Sequence, residues 1–174
     1  SETVHTAPIR PYAPKPGDAV PEVTTPLMTA PKSIQHTSFL NTGGWNFNDR
    51  KGQAAEIGGG GGLSNARGQV AMYTPLACND GRLVSPDHVI EMSRVATATQ
   101  RDATLLIPTR FASGFMRSMD NRLGNFGPGT SAILGDKAFG HVGAGGSIGF
   151  ADPECGLAFS YTMNQMGNGL LLND

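Results

Sequence analysis

AFGHVGAGGSIGFADPECGLAFSYTM, residues 138–163, is the stretch of the chain that decides its fold class. Residues 139–145 and 147–151 are typical of short strands interrupted by glycine, and residues 152–156 have the composition of a turn. In residues 157–163, apolar side chains alternate with small or polar ones at a period of two, which is the strongest strand signal in the chain. Strands joined by tight turns predict an antiparallel meander. With helices elsewhere in the chain, the predicted fold class is α+β.

Two short helices are predicted ahead of this meander. The first begins near Ser64, which can cap it, and continues with helical spacing until Pro75 disturbs its last turn. The second begins at Ser85-Pro86-Asp87, where a capping side chain, a proline at the first position and an early acid coincide. Residues 96–104 are polar and rich in threonine, so we expect a loop there. Residues 111–119 are predicted to form a further strand.

The N-terminal part of the chain has a different composition. Seven of the twelve prolines lie within residues 1–31, and proline fixes φ and removes an amide donor. This stretch is therefore expected to be extended and irregular, with neither a helix nor a central strand. We divide the chain into a proline-rich extended segment, residues 1–50, and a main portion, residues 51–174. The five glycines of residues 58–62 form either a flexible linker or a loop whose backbone passes close to a ligand or another strand.

Composition and charge argue against several classes of partner and cofactor. The net charge is −1 and the basic residues are scattered, so there is no electrostatic footprint for nucleic acid or an anionic membrane. The apolar stretches are too short to span a bilayer, and residues 1–5 lack the pattern of a secretory signal, so a cytoplasmic protein is expected. No cysteine or histidine pair has zinc-ligand spacing, and we expect neither a metal nor a cofactor. Cys78 and Cys155 are expected to be ordinary thiols, with a disulfide between them as the alternative.

Three interpretations of the glycine-rich centre follow from its residues alone. Residues 145–149 match the G-x-S-x-G pattern of a nucleophile elbow around Ser147, but a strand and a turn are predicted after the serine, and no histidine follows His141. Residues 143–147 are glycine-rich like a phosphate-binding loop, yet no G-K-S/T follows and no helix begins there. In the third interpretation the glycines only allow tight turns and close strand packing, and His141 is an ordinary, partly buried residue.

A fourth interpretation rests on a longer pattern. Residues 139–154, together with Gly156-Leu157 and YTMNQM at residues 161–166, resemble the third active-site box of the β-lactamase-related serine hydrolases. That family includes class C β-lactamases, DD-peptidases and family VIII carboxylesterases. Its penicillin-recognising members have K-T-G here, whereas its esterase-type members tend to have H-x-G or W-x-G followed by G-G-S. His141-Val142-Gly143 fits the esterase type. The likeness is weaker over residues 53–119 and absent over residues 1–35.

The resemblance implies the C-terminal part of a β-lactamase/transpeptidase-like fold, with antiparallel strands and flanking helices. It implies acyl-enzyme chemistry, in which a serine in S-x-x-K, activated by that lysine and by the tyrosine of Y-x-N, attacks an ester or lactam. The edge strand bearing the third box donates one backbone N–H to the oxyanion hole. The resemblance assigns that donor to Ala144 and directs His141 into the cleft. The residues expected to contact substrate are Val142, Gly143, Gly145 and Ser147.

Two motifs of that family do not occur in this chain. No serine is followed by lysine three residues later, the nearest match being Ser64-Asn65-Ala66-Arg67, and there is no Y-x-N. Arginine stays protonated and cannot act as the base. The nucleophile is therefore expected to come from a portion of the domain outside this chain, and the isolated chain is expected to be inactive. The competing hypothesis is a non-catalytic homologue or binding module with a degenerate site.

Two partners are expected on the hydrolase interpretation. One is a small ester or amide substrate, and the other is the remaining part of the same hydrolase domain or a complementary chain. Only 16% of the residues are charged, against roughly 25% in an average globular domain, so part of the surface is expected to lie against more protein.

Histidine is mostly neutral at pH 7, so His141 is a poor substitute for the lysine that binds a penicillin carboxylate. Neutral esters are therefore expected in preference to β-lactams.

Overall fold

A six-stranded antiparallel sheet is formed between residues 97 and 161 in the computed structural model, which describes residues 6–172. The strands are β1 (Thr97–Thr99), β2 (Thr109–Phe111), β3 (Met116–Arg117), β4 (Phe139–Val142), β5 (Ile148–Asp152) and β6 (Leu157–Tyr161). The helices are α1 (Thr24–Thr29), α2 (Ile34–Phe39), α3 (Arg50–Gln53), α4 (Ala66–Cys78) and α5 (Pro86–Ser93). Residues 1–5, on which the expectation about a secretory signal rests, lie outside the described part.

The strands follow one another across the sheet in chain order, each antiparallel to the next. The predicted meander and the α+β class are confirmed. The single strand predicted over residues 111–119 is wrong, because β2 and β3 are separate strands joined by a turn in which Gly114 has φ +81°. The loop expected over residues 96–104 is also wrong in part, since Thr97–Thr99 pairs with β2 as strand β1. Threonine is β-branched and favours strands, a preference that the polar character of this stretch concealed.

Helix α4 begins and ends differently from the prediction. Asn65, rather than Ser64, is its N-cap, and the Asn65 side chain accepts a hydrogen bond of 2.9 Å from the Gly68 amide. The helix continues past Pro75, which lies inside it, to Cys78. Leu76 and Ala77 in that last turn are buried against the sheet, and such packing outweighs the hydrogen bond that a proline removes. Helix α5 begins as predicted, with the Ser85 side chain accepting from the His88 amide.

The expectation that residues 1–31 contain no helix is wrong at α1. Pro26 is the third residue of that helix, where a backbone N–H would have no partner within the helix. Proline is therefore compatible with this position. Other parts of the segment run along the rest of the protein, and the Arg10 amide donates a hydrogen bond of 2.7 Å to the Asn164 carbonyl. The division of the chain at residue 50 stays a prediction.

The core is divided between two clusters of buried residues. One cluster joins α4 and α5 to the sheet and comprises Leu76, Ala77, Val89, Phe139 and Ala151. The other includes Ile107, Met116, Met119, Ala132, Val142, Ile148 and Leu171. Phe139 and Val142 of β4 belong to different clusters, as do Ile148 and Ala151 of β5. Residues an odd number of positions apart in a strand point to opposite faces of the sheet. No helix among residues 6–172 combines the length and the apolar character needed to cross a membrane.

Candidate active site

The expectation that the third box lies on an edge strand is wrong, because β4 is an internal strand between β3 and β5. Its second half nevertheless has an open side. Strand β3 pairs only with the first half, through Met116 with Gly140 and Arg117 with Phe139. Strand β5 pairs with all four residues of β4, on its other side. Residues 141–144 therefore extend past the end of β3. A groove of about 480 Å³ lies beside them.

The open side of β4 exposes backbone amides. The Gly143 N–H donates a hydrogen bond of 2.7 Å to the Ser147 carbonyl, in register with the pairing of His141 and Gly149. In an antiparallel pair, successive residues direct their amides alternately toward the partner strand and away from it. The Val142 amide is therefore directed away from β5, toward the side that β3 leaves open. The same alternation, continued past the end of β4, predicts this direction for the Ala144 amide. Among the described residues, the Ala144 amide has no hydrogen-bond partner.

A tight turn after β4 holds Ala144 in place. The Gly146 N–H donates a hydrogen bond of 3.1 Å to the Gly143 carbonyl, and Gly145 has φ +85°. This combination is typical of a type II turn, in which Ala144 occupies the second position. A Cβ on Gly145 would lie 2.6 Å from the Cβ of Met166, so glycine is required there by both conformation and packing. Ala144 itself is exposed and directly follows Gly143, which lines the groove, but Ala144 is not one of the lining residues.

The side chain of His141 lies in the groove and is exposed, which contradicts the interpretation of this residue as partly buried. The two residues before it and the one after it are buried, so the strand turns this side chain outward. Its Nδ1 lies 2.6 Å from the carbonyl oxygen of Val142. Its ring centroid lies 6.4 Å from that of Phe111. The imidazole is therefore oriented by its own strand and by β2.

The floor of the groove includes Tyr73 of α4, a residue that was not predicted to belong to the site. A Cβ on Gly149 would lie 2.5 Å from Cε2 of Tyr73, so the glycine allows the ring to lie directly on β5. Burial raises the pKa of the Tyr73 hydroxyl, and a hydrogen bond from the backbone of His141 offsets part of the rise. The hydroxyl is therefore protonated at neutral pH. Phe115, which had been assigned to the predicted strand over residues 111–119, also lines the groove.

The structure brings together only some of the residues predicted to contact substrate. Gly143 and Ser147 line the groove, as His141 does. Val142 contributes its backbone, because its side chain is buried in the core. Gly145 is buried against Met166 rather than lining the groove. The sequence predicted a strand at β4 but did not indicate which of its side chains are buried.

Two of the alternative interpretations are wrong. Ser147 is followed by strand β5 rather than by a helix, so residues 145–149 do not form a nucleophile elbow. Residues 143–147 connect two strands of a hairpin and open no helix, so they lack the amide geometry of a phosphate-binding loop. Within residues 6–172, no three His, Cys, Asp or Glu side chains lie close enough together to hold a metal ion.

Comparison with known proteins connects this geometry to a family. The Beta-lactamase family profile matches residues 4–172, a range that includes the proline-rich segment, where sequence analysis found no likeness. Esterase/beta-lactamase LipL of Mycobacterium tuberculosis is 36% identical over 124 residues, which are 69% of this chain and 26% of LipL. The chain thus corresponds to about a quarter of that relative's length.

Solved structures agree with the profile. A family VIII carboxylesterase is 35% identical, with a TM-score of 0.57, and the match covers 71% of this chain and 32% of that one. EstA from Arthrobacter nitroguajacolicus Rue61a is 26% identical, with a TM-score of 0.58, and the match covers 70% of this chain and 32% of EstA. The β-lactamase-like fold inferred from residues 139–166 is confirmed. From its sequence match and its structural neighbours, the chain belongs to the β-lactamase family.

Proposed function

We propose that this chain supplies the oxyanion-hole strand, at the open second half of β4, and the H-x-G box of a serine hydrolase of the carboxylesterase type. The observation that carries the proposal is the open side of β4, where the Ala144 amide has no partner among the described residues. Relatives named as an esterase/β-lactamase and as a carboxylesterase support the same chemistry. Acyl transfer requires such a donor, because negative charge develops on the carbonyl oxygen in the transition state.

Each group at the groove has a role in this mechanism. The Ala144 N–H donates to the developing oxyanion, a contribution of about 3 kcal/mol for one such donor. Gly143 leaves room for the acyl group along the strand, since a Cβ there would come no closer than 3.7 Å to a neighbouring atom. A serine outside this chain attacks the carbonyl carbon, and water later hydrolyses the acyl-enzyme. His141 contacts the substrate, or the catalytic tyrosine contributed by the remainder of the domain.

His141 provides a test of the groove in the complete hydrolase. Replacing His141 with alanine is expected to lower the esterase kcat/KM by about tenfold, the value of one polar contact to substrate. The free energy of unfolding is expected to change by less than about 0.5 kcal/mol, because the side chain is exposed. Ester hydrolysis and urea unfolding are to be measured in parallel, with the exposed His88→Ala as the matched control. A large loss of stability with unchanged kinetics would assign His141 a structural role.

The remaining part of the domain has a surface to pack against. Leu157, Phe159 and Tyr161 lie on one face of the edge strand β6 and remain exposed. A row of large apolar side chains on a sheet is typical of an interface with more protein. This supports the proposal that a complementary portion, carrying S-x-x-K and Y-x-N, completes the site.

Cys78 and Cys155 are both free and exposed, which favours a reducing compartment such as the cytoplasm.

The isolated chain is expected to be inactive. Without the nucleophile it should release no burst of p-nitrophenol from p-nitrophenyl acetate and should not open nitrocefin. Stopped-flow absorbance with the purified chain checks this, with the same protein carrying Ser147→Ala as the matched control. Turnover that disappears in the Ser147→Ala variant would overturn the proposal and identify Ser147 as a nucleophile.

A non-catalytic homologue that binds an acylated ligand is the second candidate function. The observation in its favour is that neither S-x-x-K nor Y-x-N occurs in this chain. The coding sequence around this chain distinguishes the two functions. Both motifs encoded upstream would favour the hydrolase, and their absence would favour the binding module.

A further inference from the structure

The five glycines at residues 58–62 do not have the same surroundings. A Cβ on Gly60 would lie 3.1 Å from the indole ring of Trp45, and a Cβ on Gly61 would lie 2.8 Å from the carbonyl oxygen of Ile57. Close packing therefore explains these two glycines. A Cβ on Gly58 or Gly59 would meet no atom within 4 Å, and neither residue has a positive φ. Neither backbone conformation nor packing within the described structure requires glycine at these two positions.

Gly58 and Gly59 lie in the wall of the groove that contains His141. The same groove is lined by the half-buried rings of Tyr73 and Phe115. Side chains at residues 58 and 59 would extend into open space beside the groove. Because glycine has no side chain, the groove stays wide at these positions. The volume of about 480 Å³ is within the range of pockets that hold a ligand of drug size, and it exceeds the need of a two-carbon acyl group.

The two rings are held in fixed positions. Tyr73 lies on Gly149, and Phe115 packs edge-on against the buried Phe139, with ring centroids 5.1 Å apart and planes at 75°. Rings that are already ordered lose little entropy when a ligand packs on them, and aromatic groups pack favourably against one another in offset or edge-on arrangements. A flat aromatic group is therefore the occupant that this groove fits best.

We propose that the absence of side chains at Gly58 and Gly59 leaves room in the groove for an aromatic group of the substrate. These two glycines thereby set the size of the preferred ester. The inference rests on the proposed esterase function and adds the substrate class, an ester with an aromatic acyl or alcohol part. Larger side chains at these positions would occupy the same space. They would lower kcat/KM for bulky esters and leave kcat/KM for small esters nearly unchanged.

The experiment compares three esters in the complete hydrolase by pH-stat titration: ethyl acetate, ethyl benzoate and benzyl acetate. Gly59→Leu is expected to lower kcat/KM for at least one of the two aromatic esters by about tenfold or more, and to change kcat/KM for ethyl acetate by less than about twofold. Gly62→Leu is the matched control, because residue 62 belongs to the same glycine run, has open space around a Cβ and does not line this groove. It is expected to leave the ratios between the esters unchanged.

Each outcome is informative. An equal loss toward all three esters in Gly59→Leu would overturn the inference, because it would mean that the glycine serves the fold of the complete domain. Unchanged ratios between the esters would overturn it as well. If either of these two results were obtained while the wild-type hydrolase hydrolysed ethyl acetate, the proposed function would stand and only the inference about aromatic esters would be overturned. A wild-type hydrolase that hydrolyses none of the esters would overturn both proposals.

Discussion

Replacing Ala144 with proline is expected to lower the esterase kcat of the complete hydrolase by about 100- to 1000-fold. Proline has no backbone N–H, so the substitution removes the proposed oxyanion donor while keeping an aliphatic side chain. The backbone should tolerate it, because Ala144 occupies the second position of a type II turn, where proline is favoured. The Ala144 amide has no hydrogen-bond partner among the described residues, so the substitution removes no hydrogen bond between them.

The matched control is Ala144→Ser, which changes the side chain and keeps the amide. It is expected to retain kcat within about threefold, since the exposed side chain contacts no core residue. Single-turnover kinetics with p-nitrophenyl acetate isolates the acylation step in both variants. If Ala144→Pro folded normally and acylated at the wild-type rate, the oxyanion role of this residue would be excluded.

The order of the strands in the last third of the protein could be predicted from sequence. The period-two alternation of residues 157–161 and the turn before them describe a hairpin, and consecutive strands joined by short turns become neighbours in a sheet. The β3 strand was harder to predict. It consists of Met116 and Arg117 only, and two residues are too few to establish a period. Strand β1 was missed because residues 97–99 are all exposed and have no apolar alternation.

The candidate site could be predicted only as far as the strand that carries it. The resemblance located His141 and Ala144, but it did not indicate that the pairing of β3 with β4 ends at Gly140 and leaves a groove beside the following residues. Tyr73 and Phe115 enter the groove from other elements, and contacts between elements distant in sequence have no local signal. The same holds for Gly149, whose missing side chain makes room for the Tyr73 ring.

A second large effect is expected from Gly140→Ala, which should destabilise the protein by about 3 kcal/mol or prevent its folding. A Cβ at this position would clash with the carbonyl oxygen of Gly149 and with the Cβ of Phe150, and it would lie 2.5 Å from the Cα of Phe150. These are largely backbone atoms of the paired strand β5, which cannot move without separating β4 from β5. Urea unfolding followed by circular dichroism measures the loss.

Gly143→Ala is the matched control on the same segment. A Cβ there would have only ordinary contacts, the nearest at 3.7 Å, and φ is not positive, so stability is expected to change by less than about 1 kcal/mol. Wild-type stability in Gly140→Ala would mean that β4 and β5 are farther apart than described. The distinction matters for the site, because the β4–β5 pairing determines which amides are directed toward the groove. The close approach at Gly140 holds the strand in register, and the amides of residues 142 and 144 depend on that register for their direction.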